Sequence, residues 1–494
     1  MGPMSNCPPK IGLGFGAAIL GLTLAACTVG PDYQRAPAPE AAAYKELKGW
    51  KRATPRDDVD RGPWWTIFRD ARLNAYEPQV EIFNQTVAGA EAAYRQSLAV
   101  IKEVQAGLFP TISANYNVTG SHAGAAVLGG TGGVSSTSVS STLATNASWD
   151  LDLWGKIRRS VESNVAGAQV TAADLANAKL STQALLAIAY FNLRAADALE
   201  DLLNRTVKAF RRTLEITQHQ YDAGTVSKAD VATALAQVLN TEAQAIGVGV
   251  SRAQFEHAIA ALMGRPPSDL SVPFSPLGYN LPNIPVSVPS ALLERRPDIA
   301  TAERQMQQQN ALIGAAIALY YPDVSLSALF GFTGTGALAL SLANEVWTVG
   351  AAAAQVVFDA GLRDAQVEAA IAVYDQSVAI YRQTVLTAFQ QVEDQLAAVR
   401  IFARQQKVAD AAVRAAQEEL DILLNQYRAG TVAFTAVVVA QATLLNNEQS
   451  ALAVRQNRFL AAVALIEALG GGWDTGLLPT ADALKHVNPI IPRL

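Results

Sequence analysis

Cysteine is almost missing from this chain of 494 residues: Cys7 and Cys27 are the two that occur, both near the N-terminus. A disulfide framework is thereby excluded for everything after residue 27. His122, His219, His257 and His486 stand in no metal-ligand spacing. With no nucleophile motif and no phosphate loop beside them, nothing points to an enzyme, a metal site or a cofactor.

Charge of one sign is also lacking. The 38 basic and 43 acidic residues are spread along the chain, which excludes the basic footprint of nucleic-acid binding. The length allows two or three domains, yet no Ser/Gly linker or acidic run separates independent globules. One apolar stretch opens the chain, IGLGFGAAILGLTLAA after Lys10, with 16 uncharged residues. It is too short and too Gly-rich for a comfortable membrane span and suits the core of a signal peptide. It runs into Leu24-Ala25-Ala26-Cys27, which resembles the bacterial lipoprotein cleavage box, in which the cysteine thiol is lipidated and becomes the new N-terminus. An ordinary signal peptide cut near Ala26 is the alternative. Thr28 follows, not the aspartate that would resemble an inner-membrane retention signal.

What is present is a duplication. QYDAGTV at 220–226 returns as QYRAGTV at 426–432, and placing 220–246 over 426–452 gives 13 identities in 27 positions. Gly155 falls on Gly361 at the same offset, and Pro110 matches Pro322. A period of about 200 residues is too long for a solenoid and fits a duplicated structural half.

Each half carries two periodicities. From Gly155 to about Asp222, and from Gly361 to Tyr427, the chain is Ala-rich and Pro-free. Val378, Tyr381, Val385, Phe389, Val392, Leu396 and Val399 step by three or four along one helical stripe. A helix of this length needs a coiled-coil partner, and the segments 228–263 and 434–469 after the two turns supply it. Before each long helix the period is two. Ile112, Ala114, Tyr116 and Val118 alternate with polar residues; so do Ala147, Trp149, Leu151 and Leu153. Val324, Leu326, Ala328, Phe330 and Phe332 form a third apolar face, and a fourth strand, 345–358, is less regular. A soluble hairpin shows the same pattern, but in an exported lipoprotein it suits a transmembrane barrel. Four strands cannot close a barrel, so the barrel is expected to be shared between chains.

Together these residues resemble the TolC-like outer-membrane factors, within them the NodT-like lipoprotein subgroup that serves resistance-nodulation-division (RND) efflux pumps. The resemblance rests on CTVGPDY from Cys27 to Tyr33, on Trp64-Trp65 with Phe68 and Asp70, on LLERRPDIATAE with YYPDVSL, and on the two AGTV turns. It covers nearly the whole mature chain. It implies a mainly α fold with a small β part: long antiparallel helical hairpins forming a trimeric tunnel, joined to a shared barrel of twelve strands, four per chain.

The resemblance also assigns roles. Gly224, Thr225 and Val226, with Gly430, Thr431 and Val432, become the periplasmic tips that meet an adaptor protein; the other reading is that Gly-Thr merely reverses the chain. Tyr427 and Asp230 match a tyrosine and an aspartate that lock the closed aperture. Tyr427 read without the family is the last core residue of its helix. A further family arginine falls on Val432, and two pore-facing aspartate rings fall on Ala436 and Val439, which implies a more apolar closure in which Arg428 substitutes for part of the network.

The implied organisation is a signal peptide over 1–26, a lipid-anchored extended segment over 27–66, repeats over 67–280 and 281–473, and a tail over 474–494. Within the repeats, strands are expected at 110–120, 142–154, 322–333 and 345–358, with tips at 223–226 and 429–432. The implied function is a passive exit duct of a tripartite efflux system in the bacterial outer membrane. Its partners would be two further copies, a periplasmic adaptor, an inner-membrane RND-type pump and outer-membrane lipid, with a covalent lipid on Cys27 and no cofactor. A type I secretion duct for polypeptides and a structural coiled-coil lipoprotein are the rival readings.

Overall fold

The computed structural model describes residues 28–39, 44–47, 63–124, 136–279, 281, 295–336 and 342–485. The signal segment, Cys27 and His486 lie outside the described residues, as do 125–135 and 337–341 of the two polar loops.

In chain order the elements are α1 (Ala71–Phe83), α2 (Gln85–Ala106), β1 (Thr111–Ala123), β2 (Ser136–Leu151), α3 (Lys156–Asp222), α4 (Lys228–Leu262), α5 (Pro297–Ala318), β3 (Asp323–Thr335), β4 (Glu345–Ala354), α6 (Leu362–Arg428), α7 (Phe434–Ala468) and α8 (Ala481–Lys485). The duplication holds to the residue: α2 and α5 have 22 residues each, α3 and α6 have 67, α4 and α7 have 35. At 1.5 Å per residue each 67-residue helix is about 100 Å long. Such a helix is stable because its stripe is covered. Tyr381, Val385, Val392 and Leu396 are fully buried, and Val378, Phe389 and Val399 pack on the same core. The covering helices are α4 along α3 and α7 along α6, with α5 bridging the two hairpins through α3 and α6.

The aromatic motif before α1 sits in this central core. Trp64 donates its indole N–H to Gln183 Oε1 at 3.4 Å, and Phe68 lies 4.9 Å from Phe191. Asp70 caps α1 by accepting from Arg72 N and Leu73 N, and accepts the Tyr190 hydroxyl at 2.7 Å.

The four strands form one antiparallel sheet in the order β1-β2-β3-β4. Its register pairs Ile112 with Ala147, Trp149 with Leu326, and Phe330 with Trp347. Residues directly opposite share a face, so Trp347, Val349 and Ala351 of the irregular fourth strand join the apolar side. On that side Ile112, Tyr116, Phe330, Trp347 and Val349 are left uncovered. The strand bounds differ from the sequence expectation. β2 starts at Ser136 rather than 142, because its polar residues still pair with β1 up to Ala123↔Ser136. It stops at Leu151, and β4 stops at Ala354, where the chain turns toward the long helix. Thirteen residues of β1 extend about 43 Å at roughly 3.3 Å each, which a tilt near 40° shortens to about the height of a bilayer core. Among the described residues, no helix is long and apolar enough to cross a membrane.

Each turn from sheet to helix is clamped by an aspartate and an arginine. Asp152 accepts from the Ile157 and Arg158 backbone N–H groups, both at 2.9 Å, and from Arg158 Nε. Asp359 does the same for Gly361 and Arg363, and the Arg363 guanidinium is the main cause that lowers its pKa. Gly155 and Gly361 adopt φ of 81° and 87° at these turns. Gly155 has a second reason to lack a side chain, since a Cβ there would press into Thr28.

Thr28 begins an extended strap. Val29 N donates to Trp154 O, and the chain then runs along α3 and α5. Buried Arg159 donates to Val29 O, Gly30 O and Asp32, and Asn310 donates to Pro31 O. Tyr33 reaches Glu303, and Arg35 reaches the Tyr381 hydroxyl on α6. Gly30 (φ 94°) passes so close to Gly314 that a Cβ would overlap its Cα.

Candidate functional site

The far ends of the two hairpins carry the repeated turn. At the first, Gly224 N donates to Tyr221 O at 2.8 Å, and Thr225 N and Oγ1 both donate to Gln220 O at 2.9 Å. At the second, Gly430 N donates to Tyr427 O at 2.9 Å, while Thr431 N and Oγ1 donate to Gln426 O at 3.0 and 2.9 Å. This is a helix C-cap that needs a positive φ, and Gly224 and Gly430 provide 74° and 73°. The threonine hydroxyl adds an acceptor-sharing bond, which accounts for Gly-Thr as a pair. Gly224, Thr225, Gly430 and Thr431 are exposed; Val226 and Val432 turn inward onto the tip core.

Beyond the turns the copies diverge. Ser227 caps α4 in a capping box: Asp230 N donates to Ser227 Oγ at 3.3 Å, and Ser227 N and Oγ donate to Asp230 Oδ2 at 3.0 and 2.8 Å. At the second tip Ala433 and Ala436 stand in these places, and α7 starts without a side-chain cap.

Within the single chain Tyr427 and Asp230 each have another hydrogen-bond partner, Thr217 for the tyrosine and Ser227 for the aspartate. Tyr427 is 3% exposed and donates to Thr217 Oγ1 at 3.2 Å, across the seam between the hairpins. Its ring packs 5.4 Å from Phe434. The Asp230 carboxylate is held by its own helix cap. Burial raises the Tyr427 pKa, the Thr217 bond opposes this, and Asp230 adds only its field. A second polar bridge lies deeper, where Gln441 Nε2 donates to Thr213 Oγ1 at 2.9 Å. Of the other aperture candidates, Val432 is in the tip core, Ala436 is half-buried, and Val439 is 64% exposed. Arg428 donates to Asn425, one turn back on its own helix.

Sequence reading missed Thr217, Thr213 and Gln441. The signal was available: at the 206-residue offset their counterparts are Leu423, Glu419 and Leu235. A threonine or glutamine at a core position where the other copy has leucine marks a seam with its own partner. Among the described residues no group of His, Cys, Asp and Glu is arranged to hold a metal ion.

The family model described as outer membrane efflux protein matches residues 79–265 and 288–471, once per repeat. The toluene efflux pump outer membrane protein TtgC of Pseudomonas putida is 30% identical over 469 residues, covering 92% of this chain and 95% of that protein. Nodulation protein T of Rhizobium leguminosarum bv. trifolii is 28% identical over 460 residues, covering 92% and 96%. The solved outer-membrane channel OprN superposes with a TM-score of 0.82 at 29% identity, covering 90% of this chain and all of that one.

Proposed function

The chain belongs to the outer membrane efflux protein family, and from that membership we propose how it is assembled, anchored and coupled. It is the outer-membrane channel-tunnel of an efflux pump. Three copies close one barrel of twelve strands, and six hairpins stand around one pore. The observation that carries this reading is the sheet itself: β1 and β4 are edges, and its apolar face is uncovered. Open edges are not tolerated in lipid, whereas three copies related by a three-fold axis remove every edge.

The Gly-Thr tips are the surface for a periplasmic adaptor, since they lie exposed at the ends of coiled coils where their own chain offers nothing to pack on. An inner-membrane RND-type pump supplies the energy; this chain is a passive duct for small molecules and carries no assigned catalytic group. Cys27 bears the lipid. This reading is supported by Thr28, the first described residue, which lies against the sheet-to-helix turn at Gly155. The aperture closes through Tyr427 and the tip core, with Val439 as the exposed apolar contribution.

Cysteines test the assembly. Asn115→Cys on β1, combined in turn with cysteines from Val346 to Ala352 on β4, should yield a covalent trimer in membranes at one register. Only monomers at every pairing would overturn the shared barrel.

A further inference from the structure

The duplication breaks at one glutamate. In the first hairpin Glu242 accepts two bonds from Arg211 Nη2, both at 3.0 Å. Its counterpart in the second is Glu448, but the arginine's counterpart is Gln417, whose amide donates to Asp421 at 2.9 Å. Among the described residues Glu448 makes no ion pair. Burial holds its carboxyl above the ordinary range, with the Arg205 guanidinium opposing. Arg205 itself donates to Asp201 at 3.1 Å.

A second break lies on the same helix. Leu235 of α4 is 44% exposed, but its counterpart Gln441 is 3% exposed. Gln441 gives its N–H to Thr213 Oγ1, and the Thr213 proton goes to Ala209 O at 3.3 Å. Among the described residues the amide oxygen is thus a buried acceptor with no partner.

Both groups line one groove of about 200 Å³ at the seam, walled by Leu202 and Phe210 of α3, Leu420 and Leu424 of α6, and Leu444 of α7. Gln441 and Glu448 are two helical turns apart on one face, about 10 Å along α7. We propose that this groove binds a linear aliphatic primary amine carrying a hydrogen-bond donor at its far end. The ammonium sits on Glu448, the chain on the leucines, and the distal donor on Gln441 Oε1. The chemistry follows from what lines it: among the described residues Glu448 makes no ion pair and Gln441 Oε1 accepts no bond, while the lining cation Arg205 is engaged by Asp201. A molecule seated there touches both hairpins, so it favours the packed seam over a splayed one. That last step alone rests on the channel reading above.

The probe is 6-amino-1-hexanol, compared with hexylamine and 1-hexanol, titrated calorimetrically into the full-length protein in detergent. One site per chain is expected, because the Arg211–Glu242 pair closes the equivalent place in the first hairpin. Aminohexanol should bind about two- to tenfold tighter than hexylamine, the range of one hydrogen bond. Gln441→Leu should erase that difference, and Glu448→Gln should bring both amines down to the hexanol level. Saturating aminohexanol should lower single-channel conductance in wild type and not in Glu448→Gln. Binding that is unchanged in Glu448→Gln, a hexanol affinity equal to that of the amines, or no saturable binding, meaning that the groove holds water only, would overturn the site. Unchanged conductance on saturation would overturn the bracing. A protein that forms no channels at all would refute the efflux reading while the titrations still decide the site.

Discussion

The Tyr427 hydroxyl donates to Thr217 Oγ1 at 3.2 Å, joining the last turn of α6 to α3 across the seam between the two hairpins of one chain. A neutral bond of this kind contributes about 0.5–1.5 kcal/mol. Tyr427→Phe and Thr217→Val should each raise single-channel conductance, and the double variant should exceed neither by much. Asp230→Ala acts elsewhere, by removing a capping box that stabilises α4 by about 1 kcal/mol. Its effect should add to that of Tyr427→Phe. Strong coupling between Asp230 and Tyr427 in this cycle would instead support a bond between them in the assembled channel.

The sheet register fixes where charge is tolerated. Phe330 lies near the middle of β3 on the uncovered apolar face, so Phe330→Arg should cost about 2–4 kcal/mol in unfolding from bilayers. Leu151 shares that face but closes β2 beside the helix turn; Leu151→Arg should cost about 0–1 kcal/mol, as at an interface. Asn146→Arg, on the opposite face, should cost far less than Phe330→Arg. Equal costs at Phe330 and Asn146 would mean the faces are exchanged.

Glu77 on α1 is fully buried, and among the described residues neither carboxylate oxygen has a hydrogen-bond partner. Burial pushes its pKa up to about 9. The folded protein therefore holds a proton that the unfolded chain releases above its ordinary value of 4.5. Stability is lost as pH rises from there toward 9, by up to a few kcal/mol. Glu77→Gln should leave the melting temperature unchanged near pH 4 and raise it at pH 8. A variant as pH-sensitive as wild type would show that another group is responsible.

Arg159 holds the N-terminal strap through Val29 O, Gly30 O and Asp32. Bonds from a charged donor contribute about 1.5–3 kcal/mol, so Arg159→Ala should free residues 28–39. Limited proteolysis and hydrogen exchange should detect this while the helical content stays constant. Protection equal to wild type would show that Asn310 and the Gly30–Gly314 approach suffice.

Cys27→Ser should abolish acyl labelling and still leave some trimer, since twelve strands are themselves a membrane anchor. One acyl chain binds a membrane only marginally while several anchor it stably. Unchanged palmitate incorporation in the variant would rule the lipid assignment out.

The duplication, the long hairpins and the strands were legible in the amino-acid order alone, because each is a local periodic pattern. A stripe stepping by three and four from Val378 to Val399 admits one helix, and alternation from Thr111 to Thr119 admits one kind of strand. The Gly-Thr turns were legible for the same reason, since a positive φ is a demand on one residue. Pairing across the fold was not local. Tyr427 has an aspartate in its neighbourhood and a threonine in its reach, and the packing of α3 on the second hairpin, along α7, set the Thr217 bond within the chain. The fourth strand carried too weak an alternation to assign its faces, and its register against β3 assigned them. Glu448 and Gln441 lie in the coiled-coil partner segment 434–469, and only the seam brings them into one groove, because whether a polar group is paired depends on what the other hairpin brings to it.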